Sequence, residues 1–477
     1  MTRFSEYLEQ IIIRSGMTEK ELAKMSGFTR SYIALMKNGQ RVSPDEDKMI
    51  RLMQGLNLSP DEEKKFKEEY IRARIGDEVY ERDTAVMDFV DNFNNISNIS
   101  ISSSWQYNLN EIRTIDSRMD LEQVLHAVIR KESMKKDGFI HIIMQGADNP
   151  LRKILPEVCG NNHNLKIDHI VCIENGTENG AKNPQLYNVN LLKELVPTAV
   201  FSSSVNYQVY YYYDHVSSRF NTGTLLSYMV LTSEYLVCMN SEMSLGMVTR
   251  DKESRDLYEQ LFQNQKKRCR QMFLYMTNVM DMLSSQVEEG RKEDISWSLS
   301  QQPCFGVLKV ESFIRKYFQD KSSHMVPAFV EMIRKNRQSV MQDNKKHVSY
   351  CSKEGLRRFI QEGVVDEIPK EFYTELSRKD RKIILTLLLQ AIDEGYYEMY
   401  FVDDLLSKIP KELFINVYGM LDVVVLYLSD KKEARFLLNE NSMTRIIYEA
   451  FKNLPKNPQI ISKEDTRTYL ESLIRQI

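Results

Sequence analysis

The chain has 477 residues, 42% of them hydrophobic and 27% charged, with a formal net charge of -3 at neutral pH. That length exceeds one ordinary core, so about two to four domains are expected, and the composition is that of a globular chain rather than a disordered one. The near-neutral total excludes a polycation that coats nucleic acid along its whole length, so any basic surface must be local.

In chain order, residues 3–15 set Phe4, Leu8, Ile11 and Ile12 at helical spacing. Glu6, Glu9 and Arg14 lie in the same stretch, and no small-residue cleavage site follows, so a secretory signal is not expected. The next stretch, Thr18 to Arg41, predicts two short helices joined by a tight turn. Thr18 can cap the first helix with Glu21 three residues on, and Gly27 suits a turn that β-carbons resist. Leu22, Ala23 and Met25 are expected on the buried side of that helix. Thr29 can cap the second, on which Ile33 and Met36 share an inward face. From Lys20 to Arg41 there are five basic residues against one acid, Glu21. A local basic patch on a near-neutral body is the footprint of a DNA-reading face.

The Glu21-Leu22-Ala23 triplet, Gly27, Arg30-Ser31, Ile33 and the closing Asn38-Gly39-Gln40-Arg41 resemble the helix-turn-helix of lambda-repressor/Cro-like (xenobiotic-response-element) regulators. The resemblance covers about residues 3–75. It implies a five-helix head whose second motif helix enters the major groove of double-stranded DNA, with Arg30, Ser31 and Tyr32 at base edges or adjacent phosphates. Lys37, Asn38 and Arg41 would grip the backbone beyond the helix. The full expected DNA-binding set is Lys20, Thr29, Arg30, Ser31, Tyr32, Lys37, Asn38 and Arg41. One departure stands out: the family usually carries glutamine just after the capping threonine, where it touches the DNA backbone. Here that residue is Glu19, an anion that repels phosphate.

Two further head helices are expected, Pro44 to Leu56 after Ser43 and Pro60 to Arg74 after Ser59, each opened by a proline. Residues 77–97 follow as a helix with an apolar stripe of Val79, Val86, Phe89, Val90 and Phe93, a linker or dimer seam. The polar run Asn92 to Ser104 marks a boundary.

Beyond it the pattern alternates. Strands are expected at Phe139–Met144, Lys166–Ile173, Tyr207–Tyr213, Leu225–Leu231, Tyr235–Met239 and Leu245–Val248, with helices at Leu121–Ser133, Pro150–Val158 and Val189–Val196. A long helix from Lys252 to about Glu288 closes the segment. The remainder begins helical, then predicts strands at Tyr396–Val402, Leu413–Tyr418, Val423–Leu428 and Arg435–Leu438, and helices at Met443–Leu454 and Lys463–Arg475. The segments beginning at Tyr228 and Ile415 share an order of strand, turn, strand, turn, short strand and helix, about 190 residues apart, which suggests a duplicated unit.

The expected fold class is therefore multidomain: an all-α head at 1–76, a helical linker at 77–104, an α/β domain at 105–290 and an α+β domain at 291–477 that repeats it. This layout resembles the phospholipase-D-like superfamily, usually duplicated and used as an effector domain in some regulators. Its catalytic motif, a histidine and lysine two apart with a later aspartate, is absent; His215-Val216-Ser217 lacks the lysine.

Other chemistry is thin. Cys159, His163, His169 and Cys172 have zinc-like spacing, but His169 and Cys172 stand three apart on a strand and face opposite ways. Tyr207, Tyr211 and Tyr213 face one side of their strand and Tyr210 and Tyr212 the other; tyrosine is a favoured strand residue, so a ligand wall is the lesser reading. Asp403-Asp404 lack a base partner, and Gly176–Gly180 reads as an acidic loop rather than a phosphate cradle. No cofactor, metal or enzymatic activity is expected. Six scattered cysteines read as reduced thiols, and no apolar run reaches the roughly 20 residues of a membrane span, so a cytoplasmic protein without membrane contact is expected. The expected function is a sequence-specific, homodimeric DNA-binding transcriptional regulator whose C-terminal body senses an unidentified small-molecule or peptide effector or holds the dimer. The alternatives are a nucleic-acid-targeted enzyme or defence effector, and an antitoxin-like partner-binding protein.

Overall fold

A computed structural model describes residues 2–43, 46–97, 112–145, 150–159, 164–175, 184–201, 206–216, 220, 226–276, 294–318, 326–342, 345–368, 370–402, 410–428, 433–456 and 460–477. The chain forms two compact units, Met1–Ala85 with Pro455–Pro458, and Val86–Leu454 with Gln459–Ile477.

Helices α1 (Arg3–Ser15), α2 (Glu19–Ser26), α3 (Arg30–Lys37), α4 (Glu46–Gly55) and α5 (Pro60–Ile75) build the head. Local chemistry sets their ends. Thr18 and Glu21 close a capping box at α2, and Ser59 and Glu62 close another at α5. Gly27 ends α2 in the left-handed region at φ 75°. Phe4, Leu8, Ile11, Leu22, Ile33, Met36, Leu52 and Phe66 are buried together, with Phe4 edge-on to Phe66 at 5.4 Å. Met25 departs from expectation: it is exposed, and Ser26 takes the inward place, its hydroxyl donating to the Leu22 carbonyl. Ser26 stands four residues after Leu22 and shares its buried face, which leaves Met25 toward solvent. Helix α6 (Asp77–Ser97) follows, and Val86, Phe89 and Val90 of its apolar stripe are already buried within this chain.

The body holds two mixed sheets. The first uses β1 (Ile112–Ile115), β2 (Phe139–Ile143), β3 (Lys166–Glu174), β4 (Asn206–Asp214), β5 (Tyr228–Thr232), β6 (Leu236–Met239), β7 (Gly246–Thr249) and β8 (Arg270–Gln271), in the order β1-β7-β6-β5-β2-β3-β4-β8. Helices α7 (Arg118–Ser133), α8 (Leu151–Cys159), α9 (Pro184–Phe201) and α10 (Lys252–Lys266) accompany it. The second uses β9 (Phe273–Tyr275), β10 (Ile295–Leu299), β11 (Lys346–Cys351), β12 (Tyr397–Phe401), β13 (Leu413–Val417), β14 (Val423–Leu428) and β15 (Glu433–Leu438), in the order β12-β11-β10-β13-β14-β15-β9. Its helices are α11 (Glu311–Tyr317), α12 (Val326–Gln342), α13 (Lys353–Glu362), α14 (Arg378–Asp393), α15 (Asn441–Asn453) and α16 (Lys463–Gln476).

Seven strands of each sheet correspond in order and pairing sense. In both, three strands run parallel (β2, β3, β4; β10, β11, β12), a meander of three adds antiparallel beside the first (β5, β6, β7; β13, β14, β15), and a leading strand pairs antiparallel with the last (β1; β9). The duplicated layout expected from the segments at Tyr228 and Ile415 is thus present. The extra strand β8 sits on β4.

One expectation fails here. The long helix from Lys252 stops at Lys266, and its expected continuation enters β8 and β9; residues 277–288 lie outside the described ones. The stretch 270–275 is needed as an edge on both sheets, which outweighs its helical texture. Met272 alone separates β8 from β9: its amide donates to Val209 of β4, and its carbonyl accepts from Asn439 just after β15. Strands β1, β10 and β11 were also unforeseen. The expected Pro44 start of α4 lies outside the described residues, as does most of the Asn92–Ser104 boundary beyond α6.

Helix α15 touches both sheets. Toward the second, Phe451 accepts from the Tyr350 hydroxyl at 2.8 Å, and Tyr448 stands edge-on to Trp297. Toward the first, Tyr211 donates to Asn439 and Tyr213 donates to Glu440, the fully buried N-cap of α15. The Glu440 carboxylate also accepts from the Ser442 hydroxyl and from the amides of Ser442 and Met443. These tyrosine rings therefore join the repeats instead of walling a ligand. Glu440→Ala leaves the Tyr213 phenol and two helix-terminal amides without their acceptor. We expect it to lower the body's stability by about 1–3 kcal/mol in denaturant titrations, and wild-type stability would contradict this role.

Candidate nucleic-acid interface

The capped start of α3 decides what the head presents. The Thr29 hydroxyl accepts from the Tyr32 amide at 3.2 Å, so this side chain is committed to the helix end. Ile33 and Met36 are fully buried, which turns Arg30, Ser31 and Asn38 to solvent; Lys20, Thr29 and Arg41 are exposed too. Tyr32 is half-buried, its ring stacked on Phe28 with centroids 5.3 Å apart. Of the expected residues, Thr29 and Tyr32 are thus already engaged within the head.

Glu19 changes the electrostatics of that face. Its carboxylate lies 3.4 Å from Arg30 Nε and 3.3 Å from Lys37 Nζ, and Lys37 also reaches Glu9 of α1 at 3.7 Å. Two of the expected phosphate- or base-contacting cations are therefore held by acids of the same head. Glu9 carried no signal in the sequence, because its meeting with Lys37 depends on how α1 crosses α3.

Residues 8–62 match the helix-turn-helix family. The head is a lambda-repressor/Cro-like helix-turn-helix domain. Among curated proteins none matches the chain. Among solved structures, the chain is similar to a phosphatidylserine synthase from Haemophilus influenzae Rd KW20, at 8% identity and TM-score 0.26, over 81% of this chain and 97% of that one. It is also similar to a polyphosphate kinase from Porphyromonas gingivalis, at 9% identity and TM-score 0.23, over 76% of this chain and 56% of that one. Both of those proteins are enzymes by name, against the expectation that this chain is not one, which no longer stands; a likeness at these TM-scores assigns this chain no activity or substrate.

Beyond the helix-turn-helix domain, His169 and Cys172 of the zinc-like spacing are each committed within the body. His169 is fully buried: its Nε2 donates to the Met144 carbonyl at 2.9 Å and its Nδ1 accepts from the Tyr207 hydroxyl at 2.8 Å. Burial pushes the Cys172 thiol up to about 12. His163, Gly176–Gly180, Ser217 and Asp403-Asp404 lie outside the described residues. A pair that sequence reasoning missed stands at the carboxyl ends of β3 and β4. The half-exposed His215 has its Nδ1 3.3 Å from Glu174, a buried carboxylate that also accepts from the Val216 amide. Forty-one residues separate the two, and only the parallel register of β3 and β4 joins them.

Among groups of the body, burial lowers both His169 and His347 to about 4. An unfolded histidine titrates near 6.5, so the unfolded chain binds these protons first as pH falls. The stability they confer by staying neutral is complete above about 6.5 and is lost between there and about 4, on the order of 3 kcal/mol for each. Denaturant melts of wild type and His347→Gln across that window should show a shallower slope in the variant; equal slopes would contradict the buried neutral state.

Proposed function

We propose that the chain is a cytoplasmic, sequence-specific transcriptional regulator that binds double-stranded DNA as a homodimer, with α3 in the major groove. The division proposed is a DNA-reading head at 1–76, a connecting segment at 77–104, and two related body domains, 105–290 and 291–477, that sense an effector or hold the dimer. The observation that carries this is the exposed, capped opening of α3, with Arg30 and Ser31 turned outward from a head matched over residues 8–62 to the helix-turn-helix family. One such head makes few base contacts, and two half-sites raise specificity.

Arg30→Ala should weaken operator binding by roughly 1–3 kcal/mol per site, read by fluorescence anisotropy on a fragment recovered from genome-wide mapping of bound DNA. Unchanged affinity and specificity would sink the assignment. Glu19→Gln should act in the other direction. It frees Arg30 and Lys37 from a shared acid, so affinity for any duplex should rise and the slope of log affinity against log salt should steepen by about 1 to 2. An unaltered salt slope would show that Glu19 does not restrain those cations.

A second reading, with chemistry in the body, is favoured by His215 and Glu174, since a buried carboxylate behind a half-exposed imidazole orients it for proton transfer. A substrate screen in which His215→Ala behaves as wild type throughout would remove that reading.

A further inference from the structure

The two repeats differ most between their first two parallel strands. In the first, residues 144–165 join β2 to β3 and include α8; in the second, residues 300–345 join β10 to β11 and include α11 and α12. The longer connection does not close down on its sheet. It leaves a cavity of about 180 Å³ between the sheet, at Ser296, His347 and Asn416, and the layer of α11, α12 and α14. For scale, an engineered protein cavity of about 150 Å³ takes up benzene.

The walls state what chemistry fits. They are mainly aromatic and aliphatic, with Phe305, Phe313, Phe329 and Ile333 among them, so the bulk of an occupant must be apolar. Among the described lining residues there is no lysine or arginine, and His347 is neutral, its ring nitrogens 2.9 and 3.1 Å from the hydroxyls of Ser296 and Ser298. Nothing there balances an anion. One lining residue supplies negative charge: Glu367, which accepts hydrogen bonds from the Cys304 thiol and the Phe305 amide. We propose that this cavity is a binding site for a small apolar primary amine, about the size of a substituted benzene ring, whose ammonium pairs with Glu367.

Burial pushes the Glu367 carboxyl up to about 7, and the charge of neighbouring Asp366 adds to the shift. The other groups around it hold their charge state near neutrality. Burial raises Cys304 and Tyr397 well above their usual ranges and Tyr373 to about 12, and Asp366 is paired with Arg358. An amine that needs the carboxylate must displace a proton when it binds below about pH 7, so its affinity should rise by about tenfold from pH 6 to pH 8.

Calorimetric titration of the full chain, with no DNA present, tests this separately from the DNA-binding proposal. The probes are benzylamine, which stays protonated over this range, benzyl alcohol and benzoate. The expected result is saturable benzylamine binding that strengthens about tenfold between pH 6 and pH 8, and benzoate binding too weak to detect. Glu367→Gln should weaken benzylamine by tenfold or more while leaving benzyl alcohol unchanged. No benzylamine binding at millimolar concentration, benzoate binding as tight as benzylamine, or wild-type affinity that is flat with pH would each overturn the proposal. The wild-type pH series decides the matter even where the variant does not fold.

Discussion

The body depends on a buried carboxylate. Glu440 caps α15 from a position with no solvent exposure, and it receives four donors, one of which, the Tyr213 hydroxyl, comes from the other repeat. An isolated charge in such a place would cost several kcal/mol, so its presence requires all of its partners together. That requirement fixes the start of α15, and with it a helix whose far side meets Tyr350 and Trp297 of the second sheet. Asn188 reinforces the same junction, donating to Ser442 and bonding to the backbone of Glu174. Two similar halves are thereby made to meet in one register.

The head obeys a different constraint, a balance of charge on an exposed surface. Arg30 is largely exposed and its pairing with Glu19 is worth little in water, so the pairing tunes the surface and does not hold the fold. A phosphate must compete with Glu19 for the same guanidinium and for Lys37. On the DNA-binding reading proposed above, the helix-turn-helix domain combines an outward recognition helix with an acid that lowers its attraction to DNA in general, which would favour contacts at base edges over contacts anywhere along the backbone.

Much of the head was legible because its signals are local. Thr18 with Glu21 and Ser59 with Glu62 lie three residues apart, and Gly27 marks its own turn, so no knowledge of the tertiary fold is needed to place those helices. The meander strands of both repeats were legible as apolar runs bounded by turns. Strands β10 and β11 were not, because their buried apolar residues, Trp297 and Leu299, Val348 and Tyr350, alternate with polar ones: Ser296, Ser298, His347 and Ser349 satisfy one another across the sheet, so no continuous apolar run marks either strand. The end of α10 was missed for a related reason. Nothing in Lys266 to Met272 breaks a helix; the chain leaves it because two sheets need an edge. The Glu367 cavity and the His215–Glu174 pair were beyond reach, since each joins residues that only the packed strands bring together.

Met272 links the two sheets with one residue, and its amide and carbonyl are each bonded to a different repeat. A joint with no spare length and no free backbone group cannot serve as a hinge. Any opening of one repeat against the other must first strip β8 from β4 or β9 from β15. The two halves of the body are accordingly joined there without slack, and a protease would find no linker at that point to cut.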